Sequence, residues 1–521
     1  MTAMRLRTAL LSASLLFAAT PSLANGRFPL SQRLFQDQGN QDHFVVSATF
    51  GLLVSRDHGL NWYHVCEAAL TSGIETADPL LELTTDGSML SALVRPLRRS
   101  SDCGCTWEAV LGDGADQSLT DITKSGANTL LALARTSGPP TVFRIERSSD
   151  DGRTWSKVSD LPQNLQAFTF DAAPSNPMRV YVSVILKADP DAGMPQSVPA
   201  VLVSDDGGVN FGVPRPIQGA TAVDQPYIAA VHPTDPDTLY LRTDAWTQNT
   251  ETEIDEANDA LFVSDDAGVS FREVLRKHAK LFGFAISPDA STVLAGYGDP
   301  VQAARDVYPE DTGIYTASAA DLAFTQALNA PVSCLTWNGN GLYACFDETV
   351  GITQGGAIPP TPEGFATILA YENVKGPAAC NATTCTPEWK EGREDIPAVC
   401  ARLGADCDID VTMNVLDCSS SGSPGGMGGS GGSGAAATGG AAMGGSAMAG
   451  MGAVTSGSSP GGAGGAPSGA RASGGGGGEP DSGSSCGCRA PGGTGRGASF
   501  VLLALLAILG IRRRKQLTTK D

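Results

Sequence analysis

Histidine is scarce in this chain of 521 residues, and so are basic residues and long apolar runs. The five histidines, His43, His58, His64, His232 and His278, fall at no spacing that builds a metal site or pairs with a nucleophile. Lysine and arginine number 35 against 55 Asp and Glu, for a formal net charge of −20, and no basic stripe runs through the body of the chain. Nucleic acid is thereby excluded as a partner, and an acidic exterior is expected. Twelve cysteines are present, yet four residues separate Cys380 from Cys385 and six separate Cys400 from Cys407, with no histidine among them. No paired zinc site forms at such spacings, and no metal or other cofactor is expected.

Two apolar runs stand out, one towards each end. Arg5 and Arg7 precede the run 9–19, which leads into Pro21-Ser22-Leu23-Ala24. A basic start, a short apolar core and small residues at its close read as a signal peptide (1–24) cut between Ala24 and Asn25. The run 498–511 spans 14 residues and is followed by Arg512-Arg-Arg-Lys515. As a helix it reaches about 21 Å, short of a hydrocarbon core of roughly 30 Å, so spanning a membrane needs flanking residues or local thinning. The basic cluster would stay cytoplasmic, leaving the preceding chain outside and 516–521 as a cytoplasmic end.

Between these ends one short turn recurs. It reads Ser55-Arg-Asp57-His-Gly59-Leu-Asn61-Trp62, then Ser100-Ser-Asp102-Cys-Gly104-Cys-Thr106-Trp107 and Ser148-Ser-Asp150-Asp-Gly152-Arg-Thr154-Trp155. Two further copies are Ser204-Asp-Asp206-Gly-Gly208-Val-Asn210-Phe211 and Ser264-Asp-Asp266-Ala-Gly268-Val-Ser270-Phe271. Successive copies lie 45 to 60 residues apart, the period of one propeller blade. Ser and Asp can accept hydrogen bonds from backbone N–H groups inside the turn, Gly supplies a positive φ, and the aromatic closes the hairpin. A second, fainter turn starts at Ala173, His232 and Ser287, at offsets of 59 and 55 residues, and is read as the link between a blade's first two strands.

This pattern resembles the Asp-box, or BNR repeat, of sialidase-like β-propellers over roughly residues 27–372. The resemblance implies an all-β fold with the turns on the blade periphery, away from any catalytic centre. Extending the period beyond the fifth turn places Phe324 53 residues after Phe271 and finds four short strands around Leu335, Leu342, Val350 and Phe365. Seven blades over 25–372 are favoured, with six as the alternative.

Export makes the cysteines candidates for disulfides. Asn338-Gly-Asn-Gly341 is a strong hairpin turn, which sets Cys334 opposite Cys345 and predicts a bridge between them. A pairing of Cys66 with Cys103 or Cys105 in the next blade is also expected, and the other pairings stay open. Residues 373–418, with five cysteines, have too small a core to stand without staples and read as a disulfide-bonded cap or stalk base that buries Trp389 against the last blade. Residues 419–485, nearly all Gly, Ser, Ala, Met and Pro, read as a disordered linker of roughly 45 Å root-mean-square span.

The tail 486–515, with Cys486-Gly-Cys488 ahead of the apolar run and the basic cluster, resembles the myxobacterial C-terminal sorting signal. That resemblance implies cleavage near Cys486 or Cys488 by a sorting protease and anchoring to the cell envelope, at the cell surface or outer membrane. A retained single-pass anchor stays open beside it.

A sialidase would need an arginine cluster, a Tyr paired with a Glu, and an Asp acid/base. Arg95, Arg98, Arg144, Arg179 and Arg242 do not assemble into a convincing triad, and Arg27-Phe28-Pro29-Leu30 breaks the order of the family's N-terminal Arg-Ile-Pro segment. Longer segments at 187–197, 245–258 and 299–311 offer a rim on which a rigid scaffold could carry binding residues. The expected function is a surface-displayed propeller that binds a glycan or protein ligand. The alternative is a sialidase-like or other glycoside hydrolase, which would need two carboxylates about 5 to 10 Å apart.

Overall fold

The computed structural model describes residues 30–37, 39–70, 79–93, 95–112, 117–248, 255–298, 308–392, 414 and 416. Ala24, Asn25, Cys486, Cys488, the linker 419–485 and the tail 486–521 lie outside the described residues.

Among the described residues seven four-stranded antiparallel sheets follow one another along the chain, with one extra two-stranded hairpin between the second and third strands of the fifth. Their first strands are Ser31–Gln36, Leu80–Leu83, Gln117–Lys124, Leu165–Ala173, Gln225–Val231, Lys280–Ile286 and Cys334–Asn338. These first strands touch one another in succession, and the last touches the first, so the sheets close into a seven-bladed propeller around the innermost strands. Blade six lacks the Ser/Asp/Gly set at its turn but keeps its four strands, and blade seven ends at Ala366–Ala370.

Second and third strands such as Phe44–Ala48 and Gly51–Ser55 in blade one are buried at every position. Both of their faces are covered by neighbouring blades, so they read as continuous apolar runs. Fourth strands lie at the rim, and several carry charge, as in Ser156–Asp160, where no residue is buried. Seven apolar clusters result, one in each seam between neighbouring blades. Leu131, Phe170 and Val182 meet in the seam of blades three and four, and Tyr240, Phe284 and Tyr297 in that of blades five and six.

The inner strands slip register in blades four, five and six, at Ala167/Phe170, Ile228/Ala230 and Leu281/Gly283. A bulge frees backbone N–H groups from the ladder, and here the preceding blade answers them. Asp121 accepts from the N–H of Phe170 at 3.0 Å, Thr169 from that of Ile228 at 2.7 Å, and Asp259 from that of Leu281 at 2.9 Å.

Among the described residues no strand is shared between the first and last blades. Their seam is held by Ser333 Oγ donating to the Ser31 carbonyl at 2.7 Å and Thr336 Oγ1 to that of Leu34 at 3.2 Å. The chain then leaves blade seven and crosses to blade one, where His64 N–H donates to the Gly376 carbonyl at 2.8 Å and Lys375 N–H to that of Trp62 at 2.9 Å. The helix Ala382–Gly392 follows, and Trp389 is buried with Phe44, Trp62, Tyr343 and Tyr371 in the seam of blades one and seven.

The disulfides correct one expectation. Cys66 pairs with Cys385 and Cys105 with Cys380, not with each other's blades. Cys66 and Cys105 belong to adjacent blades, but the segment after blade seven passes over both and takes their sulfurs. Cys103 is also disulfide-bonded. Cys334 and Cys345 sit directly opposite in the hairpin and are bonded, with Cα atoms 4.9 Å apart.

Candidate functional site

The five repeated turns lie one per blade, between the third and fourth strands of blades one to five, and their chemistry is spent within themselves. In the third, Ser148 Oγ donates to Asp150 Oδ1 at 2.7 Å and accepts from Gly152 N–H at 2.8 Å. The Asp150 carboxylate accepts from Thr154 N–H at 2.9 Å and from its hydroxyl at 2.6 Å, and these bonds hold its pKa down to about 2. Trp155 Nε1–H donates to the Gly152 carbonyl at 3.1 Å. The same Ser–Asp–Gly bonds recur at Ser55/Asp57/Gly59, Ser100/Asp102/Gly104, Ser204/Asp206/Gly208 and Ser264/Asp266/Gly268. Trp62 and Trp107 repeat the indole bond to the turn glycine, at 3.0 Å each. Phe211 and Phe271 have no donor and pack into the seam clusters instead.

Each turn also leans on the preceding blade. Gly152 has φ +77°, and a Cβ there would stand 2.6 Å from Leu90 of blade two, so only glycine fits. Arg99 of blade two donates to the Asp151 carbonyl at 3.2 Å, and Arg147 of blade three to that of Gly207 at 2.5 Å. These turns are ties between blades and present no free reactive group.

In a meander of four strands, successive connections alternate between the two faces of the propeller. The repeated turns and the first-to-second-strand links therefore share one face, and the second-to-third-strand links occupy the other. All three long segments, 187–197, 245–258 and 299–311, are second-to-third-strand links of the consecutive blades four, five and six. Their described ends lie on the face away from the turns. Their described parts include the 3-10 turn Pro190–Ala192, the hairpin of Trp246–Gln248 with Asp255–Ala257, and the 3-10 turn Pro309–Asp311.

A buried charged cluster braces the base of this rim. Asp244 ends the second strand of blade five and Asp259 opens its third, so the two flank the insertion. Asp259 is fully enclosed; its carboxylate accepts from Ala245 N–H at 3.0 Å, Leu281 N–H at 2.9 Å and Lys280 Nζ at 3.2 Å. Lys280 also donates to Asp244. Burial pushes the Asp259 carboxyl up, opposed by the Lys280 ammonium. The Arg242 guanidinium lies 4.7 Å from the centre of the Tyr227 ring, and Phe168 of blade four meets the same ring edge-on at 5.3 Å. Burial raises the Tyr227 hydroxyl well above its ordinary range.

Blade six repeats the device. Asp311, where its insertion returns, accepts from Lys277 Nζ at 3.1 Å and from the N–H and Nδ1 of His278 at 2.9 and 3.0 Å. Tyr308 stacks on His278 with ring centres 4.3 Å apart, and Tyr315 donates to the Glu310 carbonyl at 3.0 Å. Asp259 and Asp311 each engage three donors, from backbone N–H groups, an ammonium and, at Asp311, the His278 ring. They hold loop ends in place, which is the chemistry of positioning rather than of proton transfer.

The arginines weighed from the sequence scatter. Arg98 sits in blade two and Arg144 in blade three, where it meets Asp160 at 3.2 Å. Arg179 bridges Asp205 and Asp237 on the turn face, each at 2.5 Å, and Arg242 belongs to the cluster. Asp259, Lys280, Tyr227 and Asp311 went unremarked in the sequence, although a signal existed: Lys280 is a lone charge opening an otherwise apolar strand, and two aspartates bracket the insertion. Among the described residues no group of three or more His, Cys, Asp or Glu is placed to hold a metal ion, and no helix is long and apolar enough to cross a membrane.

No family model matches this chain, and no curated protein matches it. Solved structures do. A GH74 xyloglucanase from Xanthomonas campestris is 12% identical with a TM-score of 0.32, over 65% of this chain and 64% of its own. A Hadza microbial sialidase is 14% identical, TM-score 0.35, over 60% and 72%. An oligogalacturonate lyase from Vibrio parahaemolyticus is 8% identical, TM-score 0.38, over 62% and 88%. The chain spans less than two thirds of the xyloglucanase and 36% of an ancestral GH74 enzyme.

Proposed function

We propose that this chain is an exported protein, anchored at the cell surface or outer membrane by its C-terminal tail, whose propeller binds a glycan or protein ligand on the face carrying the three insertions. One observation carries the reading: the insertions of blades five and six spring from loop ends locked by a buried carboxylate, Asp259, and a partly buried one, Asp311. Asp259 holds Ala245 and Leu281, and Asp311 holds His278. Lengthened loops on an immobilised base are what a recognition surface needs. The charges beneath them are mutually engaged, which favours recognition over turnover. The basic, apolar and small-residue order of 1–24 and the Cys, apolar and Arg order of 486–515 support export and display.

The test uses the purified chain on glycan and protein arrays, alongside a variant in which 249–254 is replaced by a short Gly/Ser turn. Saturable binding is expected, weakened at least ten-fold in the variant with little change in its unfolding midpoint. Release of reducing sugar from a bound glycan would instead establish the glycoside hydrolase reading.

A further inference from the structure

The segment after blade seven does more than follow it. Among the described residues each blade is a sheet of its own four strands, and no described N-terminal strand joins the last sheet. Propeller rings without a shared strand depend on side-chain packing and a few hydrogen bonds at one seam. Here that seam is spanned from outside by residues 374–389.

This strap runs alongside the outer strand of blade one, with a parallel bridge between His64 and Pro377. Val374 and Trp389 enter the apolar cluster of blades one and seven. Its middle reaches blade two, where Asn381 Nδ2 donates to the Gly104 carbonyl at 2.8 Å. Asn414 ties the strap to a later part of the chain, donating to the carbonyls of Lys375 at 2.8 Å and Pro377 at 3.0 Å. Two disulfides then bolt it down, Cys105–Cys380 on blade two and Cys66–Cys385 on blade one.

The bolts differ in access. Cys380 is exposed and Cys105 half-buried, whereas Cys66 and Cys385 are both 0% exposed. The Cys334–Cys345 bond inside blade seven is equally enclosed, at 2% and 0%. Thiol–disulfide exchange needs an attacking thiolate to reach a sulfur in line with the bond, so exposure sets the order of reduction.

We propose that residues 374–389 form a redox-sensitive clasp that closes the propeller ring, released in two stages: Cys105–Cys380 first, then Cys66–Cys385. In the first stage a dithiol's thiolate attacks Cys380 Sγ and Cys105 leaves as thiolate. The reagent's second thiol then displaces Cys380 as a thiol and closes to a cyclic disulfide. Two electrons and two protons pass from the dithiol to the two cysteines. The middle of the strap then loses its covalent bond to blade two and keeps the Asn381 bond to the Gly104 carbonyl, while Cys66–Cys385 still holds blade one. The second stage follows the same exchange and leaves residues 374–389 on blades one and two with their non-covalent contacts alone. The clasp works whatever the propeller binds and wherever the chain is displayed.

Graded dithiothreitol treatment of the folded full-length protein tests this, with alkylation to map freed thiols and hydrogen–deuterium exchange to map opening. Cys105 and Cys380 are expected to label before Cys66 and Cys385. Once the second pair is reduced, amides of Ser31–Gln36 and Cys334–Asn338 should exchange at least ten-fold faster, while those of Leu165–Ala173 in blade four keep their protection. A Cys105→Ser/Cys380→Ser variant should show the second stage alone. Simultaneous labelling of both pairs, uniform loss of protection, or no change at the seam would each overturn the clasp. Because reduction starts from folded protein, a variant that fails to fold leaves the test intact.

Discussion

At the scale of single residues, His64 and Lys280 show how burial turns a polar group into a constraint. His64 sits under the strap, its Nε2–H donating to the Phe50 carbonyl at 2.8 Å and its ring 5.1 Å from that of Trp389. Full burial holds its pKa down at about 4, against an ordinary value of 6.5. Because the folded value lies below the unfolded one, the unfolded chain binds the extra proton between these two pH values. Stability is therefore fully present above about pH 6.5 and falls as pH drops towards 4, by about 3 kcal/mol for this group. Urea unfolding at pH 7 and pH 4.5 should show the drop, and His64→Gln should reduce it; an identical slope in the variant would remove His64 as its source. His43, also buried and shifted down, adds a slope of the same sign in both proteins. Lys280 gives the complementary case. Lys280→Met removes the ammonium bonded to the enclosed Asp259 and leaves the Arg242 guanidinium as the nearby cation, which should cost about 3–5 kcal/mol in urea unfolding. Adding Asp259→Asn to that variant should recover part of the loss; no recovery would mean that the pair is not the source of the cost.

Among the elements, the repeated turns were legible because their Ser–Asp–Gly bonds lie within eight residues: Ser148, Asp150, Gly152 and Thr154 bond one another, whereas their contacts to the preceding blade could not be read locally. The hairpin of Cys334 and Cys345 was legible for the same reason, since two turn residues fix its register. The rim was visible as added length at 245–258, but its base was not. Asp259 belongs to blade five and Lys280 to blade six, and only the closing of the seam brings them together. The strap was half visible. Its cysteines and Trp389 announced a stapled segment, yet which sulfurs it meets depends on its path over blades one and two, which no local pattern encodes. Trp389 reports on that path. It is 4% exposed, and its indole fills the seam with Phe44, Tyr343 and Tyr371. Trp389→Ala should cost about 3–5 kcal/mol by urea unfolding, the range for removing a large buried aromatic. A loss below about 1 kcal/mol would mean that the helix Ala382–Gly392 merely rests on the ring.

For the molecule as a whole, a ring is only as closed as its weakest seam. Six seams are joined through the short connections between consecutive blades, while the seam of blades one and seven has no such link. Its apolar cluster resembles the other six, with Leu34, Val46 and Val350 where they have similar residues. What distinguishes it is covalent: Cys66–Cys385 spans 319 residues and Cys105–Cys380 spans 275, nearly the whole ring, whereas Cys334–Cys345 spans 11. A crosslink restricts the unfolded chain more as the loop it closes grows, roughly with the logarithm of loop length. On that scale the 11-residue loop contributes about 3 kcal/mol, and one bond closing some 300 residues contributes about 6 kcal/mol. The two effects separate in one series. Cys334→Ala/Cys345→Ala should lose about 3 kcal/mol in urea under oxidising conditions. Dithiothreitol added to that same variant can act only on the other disulfides, and the further loss should be about 6 kcal/mol or more. A further loss smaller than the first would mean that the strap's bonds restrict the unfolded chain less than the hairpin's, and that ring closure rests on the apolar seam.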